Sequence, residues 1–260
     1  MKDLSVELPI NHFKRAIQNG QQQIGLWCTL SSPYGLEMLA GSGFDWLLID
    51  TEHSPSDVLG VMAQLQSVAP YPVSAVVRPA WNDPVLIKRY LDIGAQTLLL
   101  PYIQNAQEAE SAVRSVRYPA GGVRGVSALT RASRFGRIKN YAQRCEEELC
   151  LLVQIETLEA LDQLEAIALV DGIDGVFIGP GDLAASMGYL GQPGHPEVVK
   201  KIEQALTRLK ACGKPSGILT GDAALAQQFI QWGTVFTAVG VDVALLANAS
   251  SALSQSFKTN

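Results

Sequence analysis

The chain is poor in the features that mark several specialised classes of protein. Its four cysteines are scattered and form no Cys-x-x-Cys pair, so we expect reduced thiols and no disulfide or zinc site. A net charge of −5 leaves no basic surface for nucleic acid. No uninterrupted apolar segment is long enough to span a bilayer, and residues 1–7 carry charges where a signal peptide needs an apolar core. These absences predict a cytoplasmic protein that binds neither nucleic acid nor membrane.

Glycine fingerprints for a dinucleotide or a phosphate loop are also missing, so we expect no nucleotide cofactor. Instead, short apolar runs alternate with segments of helical periodicity along the 260 residues. The apolar runs occupy residues 23–30, 46–50, 74–78, 97–101, 150–156, 175–179, 216–219 and 236–240. The helical segments occupy residues 34–40, 56–68, 84–93, 106–116, 158–169, 197–211, 223–231 and 243–257, and a short helix at 11–19 precedes them.

This alternation indicates a parallel sheet covered by helices. The count of eight favours a closed α/β fold, the (β/α)₈ TIM barrel, over an open doubly wound sheet. We expect a single domain spanning residues 1–260 with an N-terminal helix. One long irregular segment, residues 118–139, is rich in glycine and arginine and precedes a strand. Loops of this length are usually functional or interfacial, and we expect this one to reach the site of a neighbouring subunit.

Polar side chains are concentrated at the C-terminal ends of the predicted strands, where barrels of this class carry their chemistry. The strand interiors contain almost none. The residues at or just after these ends are Trp27, Asp50, Glu52, His53, Arg78, Gln154, Glu156, Gly181 and Asp182. A barrel with a purely structural role would not need this concentration, so the sequence predicts a small-molecule site.

The sixth apolar run ends in Gly179-Pro180-Gly181-Asp182 and turns directly into a helix. The free N–H groups and positive dipole end of such a helix favour an anion. Asp182 is an unusual neighbour for an anion unless a cation lies between them. Glu156, from the adjacent fifth strand, would share that cation, and oxygen ligands favour Mg²⁺ or Mn²⁺. The alternative is that both are ordinary carboxylates in the first turn of a helix.

His53 follows the second apolar run among carboxylates, which suits a general base. An orienting or core histidine is the alternative, and the other two histidines are expected to be solvated or to cap helices. Arg78 ends the third run, and its fixed charge suits an enolate or carboxylate oxygen. A salt bridge from Arg78 to Asp50 or Glu52 is the alternative, and the two roles can coexist.

None of the nine lysines ends a predicted strand. A Schiff-base lysine is therefore not expected. Carbonyl chemistry at this site would have to use the metal as the electron sink.

Five stretches together resemble the metal-dependent (class II) pyruvate aldolases. They are Gln23-Ile24-Gly25-Leu26-Trp27, the segment from Gly43 to Asp50 followed by x-Glu52-His53, Val77-Arg78-Pro79, the segment 151–156, and the segment 174–183. The resemblance extends over residues 13–257. Thr51 and Gly181 depart from it, because many members have Gly and Ala there, but neither change removes a functional group.

The resemblance implies a divalent metal, Mg²⁺, Mn²⁺ or Co²⁺, held by Glu156 and Asp182. It also implies that the carboxylate of pyruvate binds to the backbone amides of Gly181 and Asp182. The substrate-binding residues that it implies are Trp27, Asp50, Arg78, Gln154, Gly181 and Asp182.

The resemblance further implies that His53 is the base, acting through a metal-bound water with support from Asp92. Arg78 would stabilise the enolate. Residues 122–127 of the long loop would reach towards a neighbouring subunit's site in a homo-hexamer.

The implied activity is reversible cleavage of 4-hydroxy-2-oxoheptane-1,7-dioate to pyruvate and succinate semialdehyde, in the breakdown of aromatic compounds. A sister branch of the family acts on 2-dehydro-3-deoxy sugar acids of the glucarate or rhamnonate type and shares nearly all of these motifs. A barrel that binds an oxo acid without turning it over is the remote alternative. The sequence leaves the preferred aldehyde open.

Overall fold

The structure, a computed structural model, describes residues 6–258. Residues 1–5, part of the charged N-terminal segment, and residues 259–260 lie outside the described residues. The strands are β1 Gln23–Cys28, β2 Trp46–Asp50, β3 Ser74–Arg78, β4 Thr97–Leu100, β5 Cys150–Ile155, β6 Gly175–Ile178, β7 Ser216–Leu219 and β8 Phe236–Val241. The helices are α1 His12–Gln18, α2 Pro33–Ala40, α3 Val58–Val68, α4 Pro84–Asp92, α5 Ala106–Val116, α6 Tyr141–Arg144, α7 Leu158–Asp162, α8 Leu164–Ala168, α9 Pro180–Ser186, α10 Pro196–Ala211, α11 Ala223–Trp232 and α12 Asp242–Ser256.

The eight strands form a closed parallel barrel in chain order, with β8 pairing back to β1. The predicted TIM barrel is thereby confirmed. The helix predicted at 158–169 is divided into α7 and α8 at Gln163, whose N–H is bonded to the carbonyls of Ala160 and Leu161. The short helix α6 and a 3₁₀ turn at Cys145–Glu148 were not predicted.

Several helices of this barrel begin directly after a residue whose side chain caps the first turn, and α4 and α11 show this most fully. The carboxylate of Asp83 accepts hydrogen bonds from two N–H groups in the first turn of α4, and Asp222 does the same for α11. Pro84 follows Asp83 at a position where the missing N–H costs nothing. These caps fix the residues at which α4 and α11 begin.

Aromatic side chains fill the lower part of the barrel. Phe13, on α1, packs against Trp46 and Phe236 with ring centroids 5.8 and 5.7 Å away. Room for these rings comes from glycine, because a Cβ on Gly25 would lie 2.2 Å from the Trp46 ring and one on Gly217 would lie 2.1 Å from the Phe236 ring. The N-terminal helix therefore closes the bottom of the barrel.

We expect Phe13→Ala to lower the free energy of unfolding by about 3–5 kcal/mol, because the fully buried ring leaves a cavity between two other rings. Denaturant unfolding would measure this change. The matched control is Tyr34→Ala, whose side chain is exposed and should change stability by less than about 0.5 kcal/mol. Equal effects of the two substitutions would contradict the closing role of α1.

The long irregular segment 117–140 lies against the N-terminal end of the barrel. Buried Arg124 donates a hydrogen bond to Asp92 Oδ1 at 3.0 Å, and its guanidinium lies 4.4 Å from the Tyr118 ring. Arg131 donates to the carbonyl of Ile93 at 2.6 Å. The segment is thus anchored to the end of α4, on the face opposite the functional strand ends.

The last helix contributes little to the core. Of the residues of α12, Asp242 alone is buried, whereas Leu245, Leu246 and Leu253 are more than half exposed. Across residues 6–258, none of the helices combines the length and the apolar character needed to cross a membrane.

Candidate active site

The ends of β2, β3, β5 and β6 bring most of the predicted site residues to one rim of the barrel. The first two strands supply Asp50 and Arg78, and the other two lead into Glu156 and Asp182. This rim lies at the C-terminal ends of parallel strands, where barrels of this class place their sites.

Arg78 is held rigidly at this rim. It is paired in register with Asp50 across β2 and β3, so the two side chains meet at the strand ends. Its Nε and Nη2 atoms donate to the two Asp50 oxygens at 2.8 and 2.7 Å. Its guanidinium also lies 4.7 Å from the centre of the Trp27 ring. A bidentate pair stacked on an aromatic face leaves the arginine one orientation.

The same arrangement shows what Asp50 and Trp27 do within the chain. Both are buried, and Trp27 Nε1 donates to Asp50 Oδ2 at 3.3 Å. Burial alone would raise the pKa of Asp50, but the hydrogen bonds and charge of Arg78 outweigh it and hold the pKa below its ordinary value. These two residues, predicted to bind substrate, thus lie behind Arg78 and support it.

Glu52 belongs to this cluster as an ion-pair partner of Arg78, which was one of the alternatives that the sequence left open. Its Oε2 lies 2.6 Å from Arg78 Nη1, without the geometry of a hydrogen bond. Burial raises the pKa of Glu52, the charges of Arg78 and His53 lower it, and Asp50 and Asp182 raise it again; the net change is upward. Arg78 is therefore paired with both carboxylates, Asp50 and Glu52.

Glu156 lies in a more strongly perturbed environment. Its Oε1 accepts from the backbone N–H of Tyr102 at 2.8 Å, and its Oε2 accepts from Gln154 Nε2 at 2.5 Å. Burial, with the nearby charges of Asp182 and Glu52, raises the pKa of Glu156 to about 7. Gln154 therefore orients the carboxylate, and a positive charge beside it would relieve the cost of ionisation.

Gly179 makes room for that carboxylate. Ile155 and Ile178 are partners in the β5–β6 register, which places the next residues, Glu156 and Gly179, side by side. A Cβ on Gly179 would lie 2.7 Å from Glu156 Oε2. By contrast, a Cβ on Gly181 would meet no described heavy atom within 4 Å. The glycine at 179 is required by a side chain, whereas the one at 181 borders open space.

Gly181 and Asp182 lie in the first turn of α9, directly after β6. N–H groups in a first turn have no acceptor within the helix, so they remain available to an anion. The Asp182 side chain is exposed on the same turn. The free N–H groups and the Asp182 carboxylate therefore share one turn, and the binding of an anion there stays a prediction.

The donor set fits a hard divalent cation. Glu156 and Asp182 offer oxygen, and the buried Oε1 of Gln154 has no hydrogen-bond partner among residues 6–258. Within the same residues, no group of three or more His, Cys, Asp or Glu side chains is arranged to hold a metal ion. Two protein carboxylates would therefore hold the cation, and water and substrate would complete its shell.

His53 is exposed at this rim. Its side chain is 67% exposed, and its Nε2 lies 3.8 Å from Glu52 Oε1, too far for a hydrogen bond. The imidazole is therefore free to meet a bound molecule. His195, in contrast, caps α10 by accepting from the N–H of Glu197 at 3.3 Å, as one of the sequence alternatives predicted.

Asp92 does not lie beside His53 of the same chain, and its predicted role as a support for His53 stays a prediction. α4 leaves the functional rim after β3, so its last residue, Asp92, lies near the opposite face, where β4 begins. There its carboxylate accepts from Arg124. Support of His53 by Asp92 therefore requires a second copy of the chain.

The HpcH/HpaI aldolase/citrate lyase family profile matches residues 23–249. The chain belongs to this family. It is 66% identical over 98% of its length to the whole of a Rhizobium etli protein named "Pyruvate aldolase". It is also 56% identical to an Escherichia coli "4-hydroxy-2-oxo-heptane-1,7-dioate aldolase", with 95% of each chain covered. A crystal structure of an HpcH/HpaI family protein from Burkholderia cenocepacia superposes with a TM-score of 0.92 at 38% identity, covering 96% of this chain and all of the other.

Membership confirms the family expected from the five sequence stretches. It also confirms the expectation of a carbon–carbon lyase, because the HpcH/HpaI family is one of aldolases and its relatives carry that name.

Proposed function

We propose that this HpcH/HpaI aldolase catalyses the reversible cleavage of 4-hydroxy-2-oxoheptane-1,7-dioate to pyruvate and succinate semialdehyde. The observation that carries the proposal is the buried Glu156 carboxylate, which shares its rim with Asp182 and with the rigidly held Arg78. The name of the E. coli relative supports the choice of substrate. We propose that the reaction takes place in the cytoplasm, during the breakdown of aromatic compounds.

The 2-oxo acid end of the substrate would bind at the β5–β6 side of the rim. Its carboxylate would accept hydrogen bonds from the N–H groups of Gly181 and Asp182. Glu156 and Asp182 would hold a divalent cation, Mg²⁺, Mn²⁺ or Co²⁺, which supplies a Lewis acid to the 2-oxo group. Gln154 would keep the Glu156 carboxylate in place.

His53 would take the proton of the C4 hydroxyl group as the C3–C4 bond breaks. The electron pair of that bond moves into the pyruvate enolate, and the aldehyde leaves. Arg78 would stabilise the negative oxygen of the enolate with a guanidinium already fixed by Asp50 and Trp27, so little reorganisation is needed. Protonation of C3 then yields pyruvate.

We propose that the active form is a homo-oligomer, a hexamer by resemblance. The unpartnered apolar face of α12 supports association. Within such an assembly, segment 118–139 and Asp92 would lie near the rim of a neighbouring copy, and Asp92 would orient that copy's His53. Analytical ultracentrifugation tests the assembly, and a monomer at assay concentration would contradict this role of Asp92.

The deciding assay is pyruvate release from 4-hydroxy-2-oxoheptane-1,7-dioate before and after EDTA, with Mn²⁺ or Mg²⁺ added back. Activity that EDTA abolishes and metal restores is the expected result. Activity indifferent to EDTA would contradict the cation site. If no metal supports cleavage, the proposed substrate is wrong, and 2-dehydro-3-deoxy sugar acids are the next to be assayed.

We expect Gly179→Ala to weaken Mn²⁺ binding by about 10–100-fold, because the new Cβ displaces the Glu156 carboxylate. Calorimetric titration with Mn²⁺ measures this directly. Gly181→Ala is the matched control, since its Cβ enters open space and should leave binding nearly unchanged. Similar affinities for the two variants would contradict the assignment of Glu156 as a ligand.

A further inference from the structure

The sector of the functional rim at the end of β4 contributes no side chain to the proposed reaction. The residues that act on the substrate come from β2 and β3 on one side and from β5 and β6 on the other. In the closed barrel, β4 lies between these two halves. Its end leads into Pro101 and Tyr102. Tyr102 therefore lies between the part of the rim that carries the proposed base, His53, and the part that would hold the cation.

Tyr102 is held there in an unusual conformation. Its φ is 56°, in the left-handed region that bulky residues rarely adopt. In this conformation its N–H donates to Glu156 Oε1 at 2.8 Å. Such a conformation persists only where its surroundings hold it, and here the hydrogen bond to Glu156 contributes to holding it.

The ring of Tyr102 has an aromatic partner from the other half of the rim. Trp81, three residues beyond Arg78, stacks on it with centroids 5.5 Å apart and planes 28° apart. Both rings are large and about half exposed, at 52% for Trp81 and 42% for Tyr102. The stacked pair therefore presents apolar surface at the rim, and one of its two residues also binds Glu156 through its backbone N–H.

We propose that the Trp81–Tyr102 pair forms one wall of the subsite for the aldehyde and selects aldehydes by the carbon chain that they carry. The 2-oxo acid end is taken by the β5–β6 side, so the chain beyond C4 has to leave the rim past its remaining sectors. Of these sectors, the one at the end of β4 lies between the strands that supply Arg78 and Glu156. Flat aromatic faces favour apolar chains and contribute little to the binding of a very small aldehyde.

The inference rests on the proposed aldolase function, so the test separates the two. Deuterium exchange at C3 of pyruvate needs no aldehyde and reports formation of the enolate alone. Addition of pyruvate to hexanal and to acetaldehyde then gives a ratio of kcat/KM values for a long and a short acceptor. Because the ratio is taken within each variant, a general loss of activity cancels.

Tyr102→Gly is the informative variant, because it keeps the N–H that binds Glu156, removes the ring and accepts the left-handed conformation. Trp81→Ala removes the other ring, and Tyr102→Phe keeps the stack. Tyr34→Ala is the matched control, an exposed aromatic residue on α2, which follows β1.

We expect the hexanal-to-acetaldehyde ratio to fall about tenfold in Tyr102→Gly and in Trp81→Ala, and to stay unchanged in Tyr102→Phe and Tyr34→Ala. Exchange of pyruvate should persist in all four variants. An unchanged ratio in Tyr102→Gly and Trp81→Ala, with exchange intact, would overturn the subsite and leave the aldolase function standing. Absence of exchange in the unmodified enzyme with metal would overturn the proposed function, and the subsite with it.

Discussion

Arg78→Lys is expected to lower kcat/KM for cleavage by about 10²–10³-fold while the barrel remains folded. Lysine keeps the positive charge but loses the bidentate contact with Asp50 and the stacking on Trp27. The ammonium group would then no longer be fixed at the position where the enolate oxygen develops its charge. Steady-state kinetics with the heptanedioate substrate would measure the loss.

Arg78→Ala is a poorer test, because it would leave the carboxylate of Asp50, 1% exposed, without its partner. Breaking a buried pair of this kind costs about 3–5 kcal/mol of folding free energy, so lost activity and lost structure would coincide. Arg89→Lys, at an exposed position on α4, is the matched control and should change neither quantity. If Arg78→Lys retained full kcat/KM, Arg78 would have only its salt-bridge role.

The barrel and its reactive rim were predictable because two simple patterns coincide in the sequence. The strands are almost wholly apolar, since both faces of a parallel sheet are covered, and charged residues such as Arg78 and Glu156 stand out where they end. Strand order alone then brings neighbouring ends together. The Asp50–Arg78 pairing follows from the same order, because the two residues are register partners at the ends of adjacent strands.

Other features depend on side-chain directions that no pattern in the sequence encodes. Gln154 was predicted to bind substrate, and no pattern in the sequence shows that its amide nitrogen also donates to Glu156. The left-handed conformation of Tyr102 had no signal, because tyrosine is not a residue that such a position favours.

The position of Asp92 shows a different limit. A resemblance implies the role of a residue but does not say which copy of the chain supplies it. The predicted support of His53 by Asp92 therefore depends on assembly, because α4 takes Asp92 to the far face of its own barrel. The long segment 118–139 illustrates the same point. Arg124 and Arg131 anchor it to Asp92 and Ile93 at the end of α4, but sequence periodicity cannot predict what its exposed residues contact.

Glu156→Gln is expected to make the metal-free protein more stable at pH 8 and to abolish its stabilisation by Mn²⁺. Burial, Asp182 and Glu52 raise the pKa of Glu156 from 4.5 to about 7, so between these values the folded state binds more protons than the unfolded state. The contribution of protonated Glu156 to the free energy of unfolding is fully present below pH 4.5 and is lost as the pH rises through 7. The difference between the two proteins at pH 8 should approach about 3 kcal/mol.

Thermal and denaturant unfolding in EDTA from pH 5 to pH 8 would measure this difference, and repeating the series with Mn²⁺ would test the cation site without any assay of activity. Other carboxylates also titrate in this range, but they are common to both proteins, so the difference isolates Glu156 and its coupling to Asp182 and Glu52. Glu159→Gln, an exposed carboxylate three residues further on, is the control and should leave the pH profile unchanged. A Glu156→Gln profile parallel to that of the unmodified protein would show that Glu156 is not held in the perturbed state that favours a cation. The expected result is that the two stability profiles diverge in EDTA as the pH rises and converge when Mn²⁺ is present. This result would mean that the ionised Glu156 carboxylate destabilises the fold until a cation binds it, a cost in stability that is common at functional sites.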